Sequence, residues 1–265
     1  MIIQNTSEEY HSGHGVSKSG LWQLYKKTPF HFKYGERKTS NAFDLGDAAH
    51  CAILEPEDFE SRFYRGPDDR RGNKWKEAGD FCEHHKMTLL TSGDYDIALA
   101  LRETAMLCGP LQTMLEGKPV IEHSAYHVDE ETGVTVRCRP DIYNPTHKLI
   151  GDVKTAADGS AWGFQKAIGD FGYHVQEPIY TEIWDKAGGG EVEGFFFIVI
   201  EKSNPPMISA YELDAPAVAE GYEIYRKTLK LYAECERNDD WPGYPSDVQK
   251  ISLRKFDYKL TEAPE

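Results

Sequence analysis

From residue 119 to 156 apolar and polar side chains alternate in three runs, PVIEHSAYHVD, VTVRCRPDIYN and KLIGDVKTA, separated by ETG and PTH. A period of two puts successive side chains on opposite faces, and the separators carry turn chemistry, so three consecutive antiparallel strands are expected. GFFFIVIEKS (194–203) and PMISAYEL (206–213) read as two more strands. Elsewhere the period lengthens to that of a helix. VSKSGLWQLYKKTPFHFKYG (16–35) has Ser17 or Ser19 as N-cap and Leu21, Leu24 and Tyr25 at helical spacing, with a stop near Thr28-Pro29. SNAFDLGDAAHCAILEPEDF (40–59) carries Ala42, Leu45, Ala49, Ala52 and Ile53 in a 3.6-residue rhythm that ends before Pro56, which makes a buried helix containing His50. A polar loop leading into helix is expected over 63–81, then helices over 92–109, 160–188 and 215–238.

This order predicts an α/β fold in which helices flank a mixed central sheet. We read the 265 residues as a single domain: a helical N-terminal part to about 115, a sheet core over about 116–240 and an irregular tail from 241 to 265. No internal repeat or low-complexity linker divides it.

Composition narrows the setting. No window approaches the roughly 18 uncharged apolar residues of a membrane helix, and MIIQNTSEEYHSG lacks the basic start and apolar run of a signal peptide. A cytoplasmic protein with no membrane partner is therefore expected. The five cysteines are scattered with no CxxC pair, which suggests neither a disulfide framework nor a zinc knuckle. A net charge of -14 argues by itself against a nucleic-acid partner, since phosphate neutralisation dominates that affinity. The distribution softens this reading, because bases cluster in RRGNKWK (70–76) and KISLRKFDYK (250–259). A bound metal ion would also offset acidity locally.

The candidate chemistry lies in RPDIYNPTHKLIGDVKT, where ten residues separate Asp141 from Asp152 and Lys154 follows two positions later. Residues two apart on a strand share a face, so Asp152 and Lys154 point together while Val153 faces the other way. The NPTH turn folds the Asp141 strand back beside them. Two carboxylates so placed repel unless a cation lies between them, and oxygen ligands favour Mg²⁺ or Mn²⁺. On spacing alone a solvent-facing ion pair and a turn aspartate explain the same residues. The apolar LIGDV context weighs against that, because a buried acid needs a partner.

The spacing of RPD and DVK resembles the PD-(D/E)XK nuclease superfamily. Five stretches in order, SKSGLWQLYKKTPFHF, DLGDAAHCAILEPEDFESRF, CRPDIYNPTHKLIGDVKTAAD, YHVQEPIY and DWPGY, are similar to the nuclease domain of RecE-type (exonuclease VIII) phage recombination exonucleases, from about residue 9 to 245. The resemblance implies a restriction-endonuclease-like fold. It implies metal ligation by His50, Asp141, Asp152 and the Val153 carbonyl, with Lys154 as the catalytic lysine beside Asp141 and Asp152. Gln176 and Tyr180, i and i+4 on one helical face, match an element that contacts DNA or positions the lysine. Without the resemblance, Gln176 and Tyr180 read as a helix-surface pair and His50 as a core histidine. Gly46, one turn before His50, leaves room for an ion or a strand. Glu122 is a candidate extra acid or an exposed strand residue. Arg70, Arg71, Lys74 and Lys76 would suit a duplex-tracking loop or be an ordinary loop. Relatives with an iron-sulfur cluster place cysteines where this chain has Thr28 and, late in the sequence, only Cys235, so no cluster is expected.

The implied activity is Mg²⁺-dependent 5′-to-3′ exonucleolytic digestion of linear duplex DNA from its ends, with Mn²⁺ as substitute and 3′ single-stranded tails as product. A RecT-type annealing protein is the implied partner and a ring-shaped homo-oligomer the implied assembly. A structure-specific endonuclease on the same core and a non-catalytic nucleic-acid-binding module are the alternatives; the presence of all the motif residues counts against the second.

Overall fold

The computed structural model describes residues 1–36 and 41–253. The outer part of the basic stretch 250–259 and the start of the helix expected from residue 40 lie outside the described residues. In chain order the first elements are β1 (Ile2–Gln4), α1 (Ser7–Ser12), β2 (Val16–Ser17), α2 (Lys18–Lys26), α3 (Pro29–Tyr34), α4 (Asn41–Leu54), α5 (Phe59–Arg62), β3 (Phe63–Arg65), α6 (Asn73–His85), β4 (Thr88–Leu90), α7 (Ser92–Ala105) and α8 (Gly109–Leu115). Then follow β5 (Val120–Ile121), β6 (His123–Val128), β7 (Thr135–Cys138), β8 (Ile142–Asn144), β9 (Leu149–Ala156), α9 (Ala161–Phe171), α10 (Tyr173–Lys186), β10 (Gly194–Glu201), β11 (Met207–Tyr211) and α11 (Ala215–Asn238).

The fold is a mixed α/β domain whose sheets are flanked by helices. Five strands pair in the order β11-β10-β9-β8-β5, four in the order β1-β6-β7-β2, and β3 pairs with β4. The central pair β9 and β10 is parallel, joined through α9 and α10, whereas β8 and β11 run antiparallel to their neighbours. Side chains alternate across β9 as a period of two requires. Ile150 packs with Val175, Ile179, Phe195 and Phe197 under α10, and Val153 packs on the other face with Ala49 and Ile53 of α4 and with Ile142 and Met114.

The expected three-strand meander forms with a difference. Its first two strands are each interrupted, at Glu122 and at Arg139-Pro140-Asp141, so that β5 and β8 join the five-stranded sheet while β6 and β7 join the other. The register does not slip across the break: Ile121 opposes Ile142, Ala125 opposes Cys138, and between them the Glu122 N–H donates to the Asp141 carbonyl at 3.1 Å. One β-ribbon thus bends from sheet to sheet, and proline at 140, which cannot donate to a ladder, sits in the bend. Glu122 takes a left-handed conformation there, φ 54°, which a residue with a side chain adopts only when its surroundings hold it.

Helix boundaries depart from expectation at two places, each for a local reason. Pro29 stops α2 but also opens α3, with Thr28 as N-cap accepting from the His31 N–H. The helix expected over 160–188 splits into α9 and α10 at Gly172, whose φ of 69° favours glycine and where an added Cβ would lie 2.4 Å from the Trp22 indole. That split turns α10 under β9 and so aims Gln176 at the sheet.

Candidate active site

The bend of the ribbon gathers the acids. Because Ile142 opposes Gly151 in the β8–β9 ladder, Asp141 lies across from Asp152 in the continuing register, and the Asp141 Oδ2 accepts the Val153 N–H at 2.6 Å. From the far side of the sheet α4 brings His50. Its Nε2–H donates to the Val153 carbonyl at 2.6 Å and stands 3.6 Å from Asp141 Oδ2, while its Nδ1 is 3.7 Å from Glu122 Oε1. Ligand atoms of His50, Glu122 and Asp141 all lie within 4.8 Å of one another. Glu122 is itself fixed by Arg139, whose Nη1 is 3.1 Å from Glu122 Oε2 and whose Nε donates to the Glu122 carbonyl at 2.9 Å.

Asp152 stands beside this group rather than in it. It is 2 % exposed, its Oδ2 accepts from Gln176 Nε2, and its Oδ1 meets the Lys154 ammonium in an ion pair without an aligned hydrogen bond. Lys154 Nζ also sits 4.9 Å from the Tyr173 ring centre, and on the other side of the neighbourhood Lys18 lies 5.1 Å from the same ring while donating to the Phe171 carbonyl at 2.8 Å. Tyr180, one turn beyond Gln176, lines a cavity of about 780 Å³ together with His50, Glu122, Arg139 and Asp141.

The charges in this neighbourhood shift one another. Burial disfavours the His50 imidazolium, but Asp141 and Glu122 outweigh it and push the pKa up to about 10. Burial raises the Asp141 carboxyl to about 7, opposed by His50 and reinforced by Asp152 and Glu122. Burial likewise works against the Lys154 ammonium, yet the Asp152 and Asp141 carboxylates hold its pKa above the ordinary lysine value. For Lys18 the balance falls the other way: burial, with repulsion from Lys154 added, outweighs the attraction of Asp152 and pulls it down to about 7. With three acids this close, a protonated histidine supplies positive charge at the place where a hard cation would supply more.

The donor set fits a divalent ion. His50 offers a nitrogen, Asp141 and Glu122 carboxylate oxygens and Val153 a carbonyl oxygen, and Asp152 keeps a buried oxygen with no hydrogen bond close by. Of the residues expected at the site from sequence, His50, Glu122, Asp141, Asp152, Val153, Lys154, Gln176 and Tyr180 come together. The basic loop does not join them: none of Arg70, Arg71 and Lys74 lines the cavity, Arg70 pairs with Asp94 at 3.0 Å and Arg71 stands 3.7 Å from Asp69. Arg139, Tyr173 and Lys18 lie beside these residues and were not singled out by sequence. Arg139 sits in the RPD motif itself, and Lys18 in VSKSGL; only their contacts reveal them.

An added Cβ at Gly46 would meet only Thr155 Oγ1 at 3.9 Å, so β9 does approach this face of α4 but without a tight contact. The five cysteines are buried and unpaired, and among the described residues no helix is long and apolar enough to cross a membrane.

A candidate exonuclease from Eubacterium rectale, known from its crystal structure, is similar in fold, with a TM-score of 0.65 and 16% identity over 97% of this chain and 99% of that one. The crystal structure of a phage-related exonuclease from Haemophilus somnus 129PT is matched over 86% of this chain and 98% of that one at 15% identity, with a TM-score of 0.34. No curated protein matches the sequence. The family described as a PDDEXK-like domain of unknown function (DUF3799) matches residues 26–253, most of the chain, and the protein whose ribbon bends to bring Asp141 against β9 belongs to that family.

Proposed function

We propose that this protein is a metal-dependent exonuclease that hydrolyses phosphodiester bonds of linear duplex DNA, with Mg²⁺ as the working ion and Mn²⁺ as substitute. The observation that carries this reading is the convergence of His50, Glu122 and Asp141 within 4.8 Å, one strand position from the Asp152–Lys154 ion pair. The 5′-to-3′ direction, the 3′ tails, a RecT-type annealing partner and a ring-shaped assembly rest on the motif resemblance; a cytoplasmic location rests on the lack of a membrane or signal segment in the sequence, and the treatment of residues 1–265 as one domain on its element order without a linker.

In this reading His50, Asp141 and the Val153 carbonyl hold the ion, with Glu122 and Asp152 as the flanking acids. The bound divalent ion supplies Lewis acidity at the scissile phosphate and lowers the pKa of a water. Lys154 stabilises negative charge that develops on the phosphate, from a position fixed by Asp152 and the Tyr173 ring. Gln176 orients Asp152, and Arg139 keeps Glu122 from collapsing onto His50. His50 would ligate such an ion as a neutral imidazole, without the Nε2 proton that it donates to the Val153 carbonyl.

Purified protein with Mg²⁺ is expected to digest linear duplex completely while leaving a covalently closed circle of the same sequence intact, read on an agarose gel. Cutting of the closed circle would replace the exonuclease reading by an endonuclease on the same centre.

A further inference from the structure

A second groove starts one residue from the acidic cluster. Val153 faces the cluster through its carbonyl, and the next residue, Lys154, lines a separate cavity of about 400 Å³ floored by the end of β9 and Tyr173 and walled by α9. Along its rim stand Trp162 and Phe171, 74% and 58% exposed, with Lys166 one turn after Trp162. These aromatics are not needed by the core. The inward side of α9 is already filled by Phe164, 3% exposed, and by Ala167 and Ile168, which pack against the main apolar cluster. Trp162 and Phe171, both exposed and both lining one lysine-bearing groove, together make a candidate contact surface.

We propose that this groove binds the unpaired bases of the DNA strand whose phosphate lies at the acidic cluster, by stacking on Trp162 and Phe171. The proposal rests on the nuclease reading for the position of the phosphate, but not for the binding itself. Three features favour single-stranded nucleic acid over other occupants. The groove is continuous with Lys154, the residue assigned to the phosphate. Its volume is of the size that holds a drug-sized ligand rather than a duplex. Its chemistry is aromatic faces interleaved with lysine, and base stacking on such faces is indifferent to sequence. Asp158 and Asp170 also border the groove, so phosphate attraction is partly cancelled and stacking must carry the affinity.

The test is fluorescence anisotropy with a fluorescein-labelled oligo(dT) of about twelve residues, in Ca²⁺ so that the DNA stays intact, which a gel verifies. Trp162→Ala is expected to weaken binding about tenfold, as loss of one base–aromatic stack does. Trp162→Phe should recover most of that loss, and Phe81→Ala, which removes an exposed ring on α6, should bind within about twofold of wild type. Two lysines at the groove limit the salt dependence of its share of binding to a slope of about −1.4 in log–log form. Wild-type affinity in Trp162→Ala overturns the groove assignment whether or not the protein cleaves DNA; a shift to a smaller oligomer in that variant, with oligo(dT) affinity unchanged, shows that a second copy of the chain covers the rim instead. A tenfold loss in a protein that never digests linear duplex supports the groove and overturns only the nuclease reading.

Discussion

Asp152→Asn and Lys154→Met are each expected to reduce digestion of linear duplex by at least about 10³-fold, because the proposed mechanism places Asp152 beside the divalent ion and Lys154 at the scissile phosphate. The two variants differ from Asp141→Asn in what happens to the fold. Asp152 is buried against both Gln176 and Lys154, so its amide loses the ion pair and stability falls by about 1–3 kcal/mol. Asp141→Asn takes one of three crowded carboxylates away while its amide oxygen still accepts the Val153 N–H, and stability in metal-free buffer stays within about 1 kcal/mol of wild type. All three variants lose activity. Urea unfolding followed by circular dichroism, beside a gel assay, separates the two effects. Full activity in any of them removes that residue from the chemistry.

Gly221→Ala is the second change with a large expected effect, and it acts through packing. α11 crosses α10 so closely that a Cβ at Gly221 would lie 1.7 Å from the His174 carbonyl oxygen and 2.4 Å from the His174 carbonyl carbon, both backbone atoms that no rotamer can move aside. The helices must separate, at a cost of about 3–5 kcal/mol, beyond the ordinary range for overpacking. His174 lies two residues before Gln176, so the displacement also draws Gln176 from Asp152 and lowers activity in whatever fraction remains folded. A melting temperature within about 2 °C of wild type contradicts this account of the contact.

Much of this was legible in the chain because local signals agree with tertiary ones. The period-two run LIGDVKTA fixes which side of β9 carries Asp152 and Lys154, and the NPTH turn sets the ladder that places Asp141 opposite. His50 was legible only through the motif resemblance, since a histidine on an alanine-rich helix has no periodic signal of its own. The bend at Glu122 and Pro140 was only partly legible: Pro140 marks a break in the ladder, but alternation continues through it and the register is the same on both sides, so the change of sheet does not show. That bend sets which acids stand nearest His50. It turns Glu122 into the group with His50 and Asp141 and leaves Asp152 to Gln176 and Lys154, whereas the resemblance alone pointed to Asp152 as the partner acid. The break at Gly172 was missed for a related reason, because FGYHV carries helical composition on both sides and only contact with Trp22 makes glycine necessary. The basic run at 70–76 suggested DNA by composition, while Arg70 is engaged by Asp94.

The acids gathered by the bent ribbon are expected to bind a divalent ion. Crystals grown without metal and soaked in Mn²⁺ test it most directly, by anomalous scattering at the manganese edge. The expected result is a peak bonded to His50 Nε2, Asp141 and the Val153 carbonyl, with the hydrogen bond from His50 to that carbonyl lost. Manganese bound elsewhere on this acidic chain, with His50 still hydrogen-bonded to Val153, would contradict it.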